Sequence, residues 1–151
     1  MTKNKKIIIL LFSLIIFPLV LLVIVFMIKV ASYSQFRLNY VEYKPDNQSN
    51  TTWVSEDKKI KIVVAEKFEA KIYFEDVQAQ NEFDFSCGIP ETAYIRVIVE
   101  DAVDSEFNLG KLYETWKFIE VGKDKFTVEV KETYFLKIGD KIRFYKMGNT
   151  G

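Results

Sequence analysis

Residues 125–131 read Lys-Phe-Thr-Val-Glu-Val-Lys, and this stretch decides the fold. Phe126, Val128 and Val130 alternate with polar residues, so one face of the segment is apolar and the other is polar. Successive side chains of a β-strand point to opposite faces of a sheet, and this alternation is therefore typical of a half-buried strand. The stretch predicts an antiparallel sheet with one side on a core.

The same pattern begins at Trp53 and recurs on both sides of this strand. Gly122-Lys123-Asp124 is short enough to form a hairpin with the segment before it. No helical pattern intervenes, which argues against a parallel sheet with crossover helices. The further predicted strands are residues 59–64, 71–75, 82–86, 94–100, 112–121 and 141–146, with 134–136 as a short strand or a helical turn.

About seven to eight strands in one all-β domain favour an antiparallel β-sandwich or a small β-barrel, and both alternatives stay open. The apolar positions of these strands predict the core. The expected core residues are Ile60, Ile62, Val64, Ile72, Phe74, Phe83, Phe85, Ile95, Val97, Val99, Trp116, Phe118, Phe126, Val128, Val130, Ile142 and Phe144.

A different pattern occupies the N-terminus. Residues 7–28, IIILLFSLIIFPLVLLVIVFMI, contain no charge, and only Ser13 and Pro18 interrupt the hydrocarbon side chains. A helix of this length spans about 33 Å, close to the ~30 Å hydrocarbon core of a bilayer. We therefore expect a single transmembrane signal-anchor helix over residues 7–30. A cleaved signal peptide is the alternative, but the apolar run is long for a signal core and the sequence after it is a poor cleavage site.

The basic residues around this run predict its orientation. Three lysines and the terminal amine precede it within six residues, whereas the basic residues after it are more widely spread. The cytoplasmic flanks of membrane helices carry the excess of Lys and Arg. This distribution favours a protein of the cell membrane whose N-terminus, residues 1–6, is cytoplasmic. A juxtamembrane linker (31–51) with an extended piece at 36–43, an extracytoplasmic β-domain (52–147) and a tail (148–151) would follow. The inverted orientation is the alternative.

Composition excludes several classes of function. The first 30 residues hold four lysines and no acid, so the remaining chain carries 17 basic and 21 acidic residues. A net charge of −4 argues against nucleic-acid binding. The absence of histidine removes the commonest general base and metal ligand, so we expect no enzyme, metal or cofactor. A single cysteine, Cys87, cannot form an internal disulfide, which suggests a bacterial envelope protein.

Three groups of side chains are candidates for a chemical site, but the sequence around each group is also consistent with no chemical role. Cys87 follows a predicted strand, but a thiolate needs a nearby base or cation. The acids at 100, 101, 104 and 106 lack the spacing of a calcium loop. The glutamates at 114, 120, 129 and 132 are expected on the solvent faces of strands, since nothing in the pattern fixes a distance between paired carboxylates.

Aromatic residues give the only candidate binding contacts. They make up 15% of the chain, and Tyr and Trp are enriched at interfaces. Packing against the sheet is the competing explanation. The candidate ligand or partner contacts are Tyr73, Tyr94, Tyr113, Trp116, Tyr134 and Tyr145.

A W-x-S-x-D opening at residues 53–57 and an F-T-V … I-x-F-Y ending at 126–145 resemble a group of uncharacterised membrane-anchored or secreted β-domain proteins of Gram-positive bacteria. The resemblance covers about residues 52–147 and brings no known activity. An opening Trp before strands is also similar to lipocalins, although the Gly-x-Trp form of their signature is missing. That likeness implies a small barrel with a ligand cavity.

Together these features predict a non-enzymatic binding or interaction module at the cell envelope. A lipocalin-like carrier of a small apolar ligand is one alternative, and an immunity protein that intercepts a toxin is another. A carrier needs inward aromatic side chains around an empty cavity. An interaction module needs a filled core and an exposed aromatic patch.

Overall fold

The computed structural model describes residues 2–76, 81–103 and 109–148, and only the backbone of residues 100–103 and 109–113. Contacts divide the chain into two compact units, Met1–Phe36 and Arg37–Gly151. One long helix and a 3-10 turn at Pro45–Asn47 precede eight strands. The elements are α1 (Lys3–Tyr43), β1 (Thr51–Ser55), β2 (Ile60–Glu66), β3 (Glu69–Phe74), β4 (Glu82–Cys87), β5 (Tyr94–Val103), β6 (Leu109–Val121), β7 (Lys125–Glu132) and β8 (Lys141–Lys146).

Helix α1 is long and apolar enough to cross a membrane, judged by length and composition. All side chains of residues 7–28 are exposed, and Pro18 lies inside the helix. The helix does not end near residue 30 but continues to Tyr43. The extended piece expected at 36–43 is therefore wrong, because the polar, unpatterned sequence there concealed a helical segment.

The eight strands form a closed antiparallel barrel in which each strand pairs with the next and β8 pairs with β1. This order confirms the predicted antiparallel all-β domain, and the architecture is a barrel rather than a sandwich. Successive strands run in opposite directions, so their loops alternate between two ends. The upper end carries the loops after β1, β3, β5 and β7, and the lower end carries the loops after β2, β4 and β6.

Alternating side chains of the strands fill the barrel interior. Of the expected core residues, all but two are buried. Val99 is half-buried because a bulge shifts the register between Ile98 and Glu100, and Ile142 lines an open cleft near the upper end. Residues 134–136, expected as a strand or a helical turn, form a loop instead.

The C-terminal part of α1 belongs to the barrel unit and closes its lower end. Tyr40 is fully buried, its ring meets Phe118 edge-on at 5.0 Å between centroids, and its hydroxyl donates to the Gly88 carbonyl at 2.7 Å. Asp46, in the 3-10 turn, accepts the Cys87 N–H at 2.8 Å. These contacts explain why residues 37–47 are ordered next to the barrel instead of forming a flexible linker.

Candidate functional site

An open groove of about 540 Å³ crosses the outer wall of the barrel over β2, β3, β4 and β5. Ligand sites commonly measure ~300–1,000 Å³. Phe68, in the turn between β2 and β3, is 60% exposed, and Tyr73 is half-buried. The outward apolar residues that line the groove are Val63, Ala65, Phe68, Tyr73 and Ile98, and the core residues Ala70 and Phe85 lie beneath it.

The groove follows from the alternation of its strands. Ile72 and Phe74 point into the core, so Tyr73 between them points outward. On β2, Val63 is likewise flanked by two buried neighbours. The small side chains of Ala65 and Ser86 leave space between the larger ones, which makes this part of the wall concave.

The turn at the lower edge of the groove is strained. Phe68 has a φ of 68°, a left-handed conformation that costs a non-glycine residue about 1–2 kcal/mol. Its N–H donates to the backbone oxygen of Asp46 at 2.6 Å, and Lys44 Nζ lies 5.1 Å from the centre of its ring. A bulky apolar side chain is thus held on the surface beside the groove, which is informative because strained residues cluster at functional sites.

Ion pairs border the groove without filling it. Lys71 Nζ donates to Asp84 Oδ1 at 2.5 Å and lies 3.8 Å from Glu82 Oε1. Lys61 Nζ lies 5.2 Å from the centre of the Tyr73 ring. Exposed pairs of this kind contribute at most about 1 kcal/mol each. They orient the charged side chains and leave the apolar floor open.

The structure does not bring the six candidate contacts together. Tyr73 lines the groove, and Tyr94 is half-buried. Tyr134, in the loop between β7 and β8, is 56% exposed, and Tyr145, on β8, is 42% exposed. Trp116 is fully buried in the core. The side chain of Tyr113 lies outside those that the structure describes.

Sequence reasoning missed most of the groove, although the signal was present. Val63 and Ile98 are apolar residues at outward positions of strands whose inward positions are also apolar. Such breaks in the alternation, on strands of the same sheet, indicate an apolar outer surface. Phe68 is missed because nothing in a two-residue turn predicts that its side chain stays exposed.

The described part of the interior is filled with aromatic rings in mutual contact. Phe74 contacts Phe83, Trp116 and Phe135, with ring centres 5.3–6.1 Å apart. Toward the lower end, the ring of Phe126 contacts the rings of Trp53, Phe118 and Phe144. The aromatic side chains predicted to face inward therefore pack on one another in this region.

One acidic side chain lies among these rings. Glu114, expected on a solvent face, points inward from β6 and is fully buried. Its Oε1 accepts hydrogen bonds from Trp116 Nε1 and Thr133 Oγ1, both at 2.9 Å, and its Oε2 has no hydrogen-bond partner. Burial raises the pKa of Glu114, while those two donors and the backbone of Tyr134 oppose the shift. The other three glutamates of this group are not buried.

The thiol of Cys87 is poorly suited to act as a nucleophile. Burial and then the charge of Asp46 raise its pKa well above the usual range, so the thiolate is disfavoured. Among the described residues, no group of three or more Cys, Asp or Glu is placed to hold a metal ion. The side chains at 100, 101, 104 and 106 lie outside the described residues.

No protein-family description, no curated protein and no solved structure matches this chain.

Proposed function

We propose that this chain is a single-pass membrane protein that presents its barrel outside the cytoplasm as a non-enzymatic binding module, with the outer groove as the contact surface. The observation that carries this proposal is the groove on the outer wall of a barrel whose described inward aromatic side chains pack on one another. Large exposed apolar patches on soluble domains mark interaction sites. Closed barrels do not need such a patch for folding, because their apolar side chains already face the core.

Membrane attachment is supported by α1. Residues 7–28 carry no charge and are exposed along the helix, and an apolar helix satisfies its own backbone hydrogen bonds in lipid. The lysines before this run favour a cytoplasmic N-terminus.

Orientation is tested with an impermeant maleimide on intact cells, using the full chain with Cys87 replaced by Ser. We expect a Lys131→Cys variant to be labelled from outside and an Asn4→Cys variant to be labelled only after lysis. Lys131 is exposed on β7. The reverse labelling pattern would show that the barrel is cytoplasmic.

The groove is tested with a photocrosslinking amino acid in the full chain in its native membrane. We expect the crosslinker at Ala65 or Ser86, which line the groove, to give one adduct of the same mass. An exposed position on another part of the wall, Lys131, is the matched control and should give none. Ile98→Lys, which places a charge on the groove floor, should abolish the adduct. An adduct that survives this change, or that also forms from Lys131, would contradict the groove as the contact surface.

A small-ligand carrier is the second candidate, because eight-stranded up-and-down barrels can hold one small ligand. It predicts that organic extraction of the purified full chain releases a stoichiometric apolar compound, and that Ile98→Lys leaves this yield unchanged. An immunity protein would be a case of the first proposal in which the partner is a toxin.

A further inference from the structure

A loop closes the upper end of the barrel and is anchored on the buried carboxyl of Glu114. The loop joins β7 to β8 and begins at Thr133, whose hydroxyl donates to Glu114 Oε1 at 2.9 Å. The same hydroxyl oxygen accepts the N–H groups of Phe135 at 3.1 Å and Leu136 at 2.7 Å. Glu114 therefore holds the first turn of the loop through the hydroxyl of Thr133 and the backbone of Tyr134.

Phe135 is the part of the loop that covers the interior. Its ring centre lies 5.3 Å from that of Phe74 on β3 and 5.2 Å from that of Phe83 on β4. The loop thus crosses from β7 to the strands on the other side of the barrel. If Thr133 left Glu114, Phe135 would lose its anchor and the rings of Phe74 and Phe83 would become accessible at the upper end.

The closed arrangement compensates a charged Glu114 only in part, because no cation is among the described groups that act on it. Oε2 is buried and has no hydrogen-bond partner, and buried groups of this kind are rare in native proteins. Its ladder partner on β5 is Val97. The groups that donate to it are the side chains of Trp116 and Thr133 and the backbone of Tyr134, and none of them is charged. The nearby acid of β7, Glu132, instead accepts a hydrogen bond from Thr115 Oγ1. No described charged side chain contributes to the raised pKa of Glu114.

We propose that Glu114 is a proton-operated latch for the loop between β7 and β8. With the carboxyl neutral the loop is closed, and loss of the proton favours an open loop in which the carboxylate reaches water. The sign follows from linkage, because closure raises the affinity of Glu114 for its proton. Closure is fully favoured below the ordinary Glu pKa of about 4.3 and weakens as the pH rises through the raised pKa of the closed state.

Hydrogen exchange of the full chain in detergent micelles tests the latch, with rates corrected for the intrinsic effect of pH. Measured at about pH 4 and about pH 8, the protection of residues 133–138 should be lower at the higher pH, by no more than about tenfold per pH unit because one proton is involved. Residues 88–93 at the lower end are the internal reference and should not change. Glu114→Gln should keep the loop protected at both pH values, while Glu132→Gln, the matched control, should behave as the wild type.

A wild-type loop whose protection is independent of pH would overturn the proposal, and so would the same pH response in Glu114→Gln. A second pair of variants guards against misfolding of Glu114→Gln. Thr133→Ser keeps the hydroxyl and should keep the pH response, whereas Thr133→Val removes the donor and should abolish it. A Thr133→Val loop that still responds to pH would refute the latch.

Discussion

Tyr40 connects the end of α1 to the barrel through a hydrogen bond to the Gly88 carbonyl and a ring contact with Phe118. Tyr40→Phe keeps the ring but leaves the Gly88 carbonyl without its donor, which should lower the free energy of unfolding by about 0.5–1.5 kcal/mol. Tyr40→Ala also empties the space beside Phe118 and should cost about 3–5 kcal/mol. Denaturant unfolding of the full chain, followed by the fluorescence of the two buried tryptophans, measures both changes.

Tyr134→Phe is the matched control for Tyr40, because Tyr134 is 56% exposed. Its effect should stay within about 0.5 kcal/mol. Equal effects at the two positions would show that Tyr40 does not contribute to the stability of the barrel.

Glu114 shows how much of the candidate site could be predicted from the sequence. Glu114 occupies the same strand face as Trp116 and Phe118, so its inward position follows from the period-two pattern of β6. Its charge instead favours the solvent side, which is where the sequence analysis places it. Its donor Thr133 could not be predicted, since Thr133 is distant in sequence and approaches only when β7 pairs with β6.

Among the elements, the loop between β7 and β8 depends on a glycine. Gly139 has a φ of 90°, a region that side chains rarely adopt, although a Cβ there would meet no atom within 4 Å. Gly139→Ala should therefore destabilise the barrel by about 1–2 kcal/mol through backbone strain alone. Gly148→Ala, where a Cβ also meets nothing, is the control and should be nearly neutral. Equal melting temperatures for the two variants would contradict this prediction.

The segment between the apolar run of residues 7–28 and β1 has a structure that the sequence did not predict. The strands were predictable because alternation reports a local property, and the observed bounds of β8 equal the predicted ones. Residues 31–51 lack a period, and their helix and 3-10 turn depend on contacts with distant residues such as Gly88 and Phe118. Tertiary packing therefore determines the structure of this segment, and local sequence patterns do not predict contacts between distant residues.

Truncation tests whether this segment is part of the folding unit. A fragment of residues 37–151 retains Tyr40 and Asp46 and should unfold cooperatively. A fragment of residues 52–151 loses both, and should be less stable by at least about 3 kcal/mol, the cost of emptying a large aromatic site. Denaturant unfolding of the two fragments compares them, and equal stability would show that residues 37–51 are only a tether.

At the scale of the whole molecule, the proposed membrane orientation rests on a small difference in positive charge between the two flanks of residues 7–28. Replacing Lys3, Lys5 and Lys6 by Gln leaves only the terminal amine on the N-terminal side, whereas Lys29 and Arg37 remain on the other. Because basic residues within about 15–20 positions of a span set its orientation, we expect part of this variant to insert with the barrel in the cytoplasm. Protease added to intact cells should then spare that fraction.

Replacement of three other lysines is the control for orientation, because these substitutions remove the same amount of charge far from the span. Lys67, Lys117 and Lys131 are exposed on the barrel unit, and their replacement by Gln should leave the barrel fully accessible to protease. A mixed orientation in this control would mean that net charge, and not its position, decides insertion. Unchanged accessibility in the N-terminal variant would mean that the length and apolarity of α1, or folding of the barrel outside the membrane, fixes the orientation without those lysines.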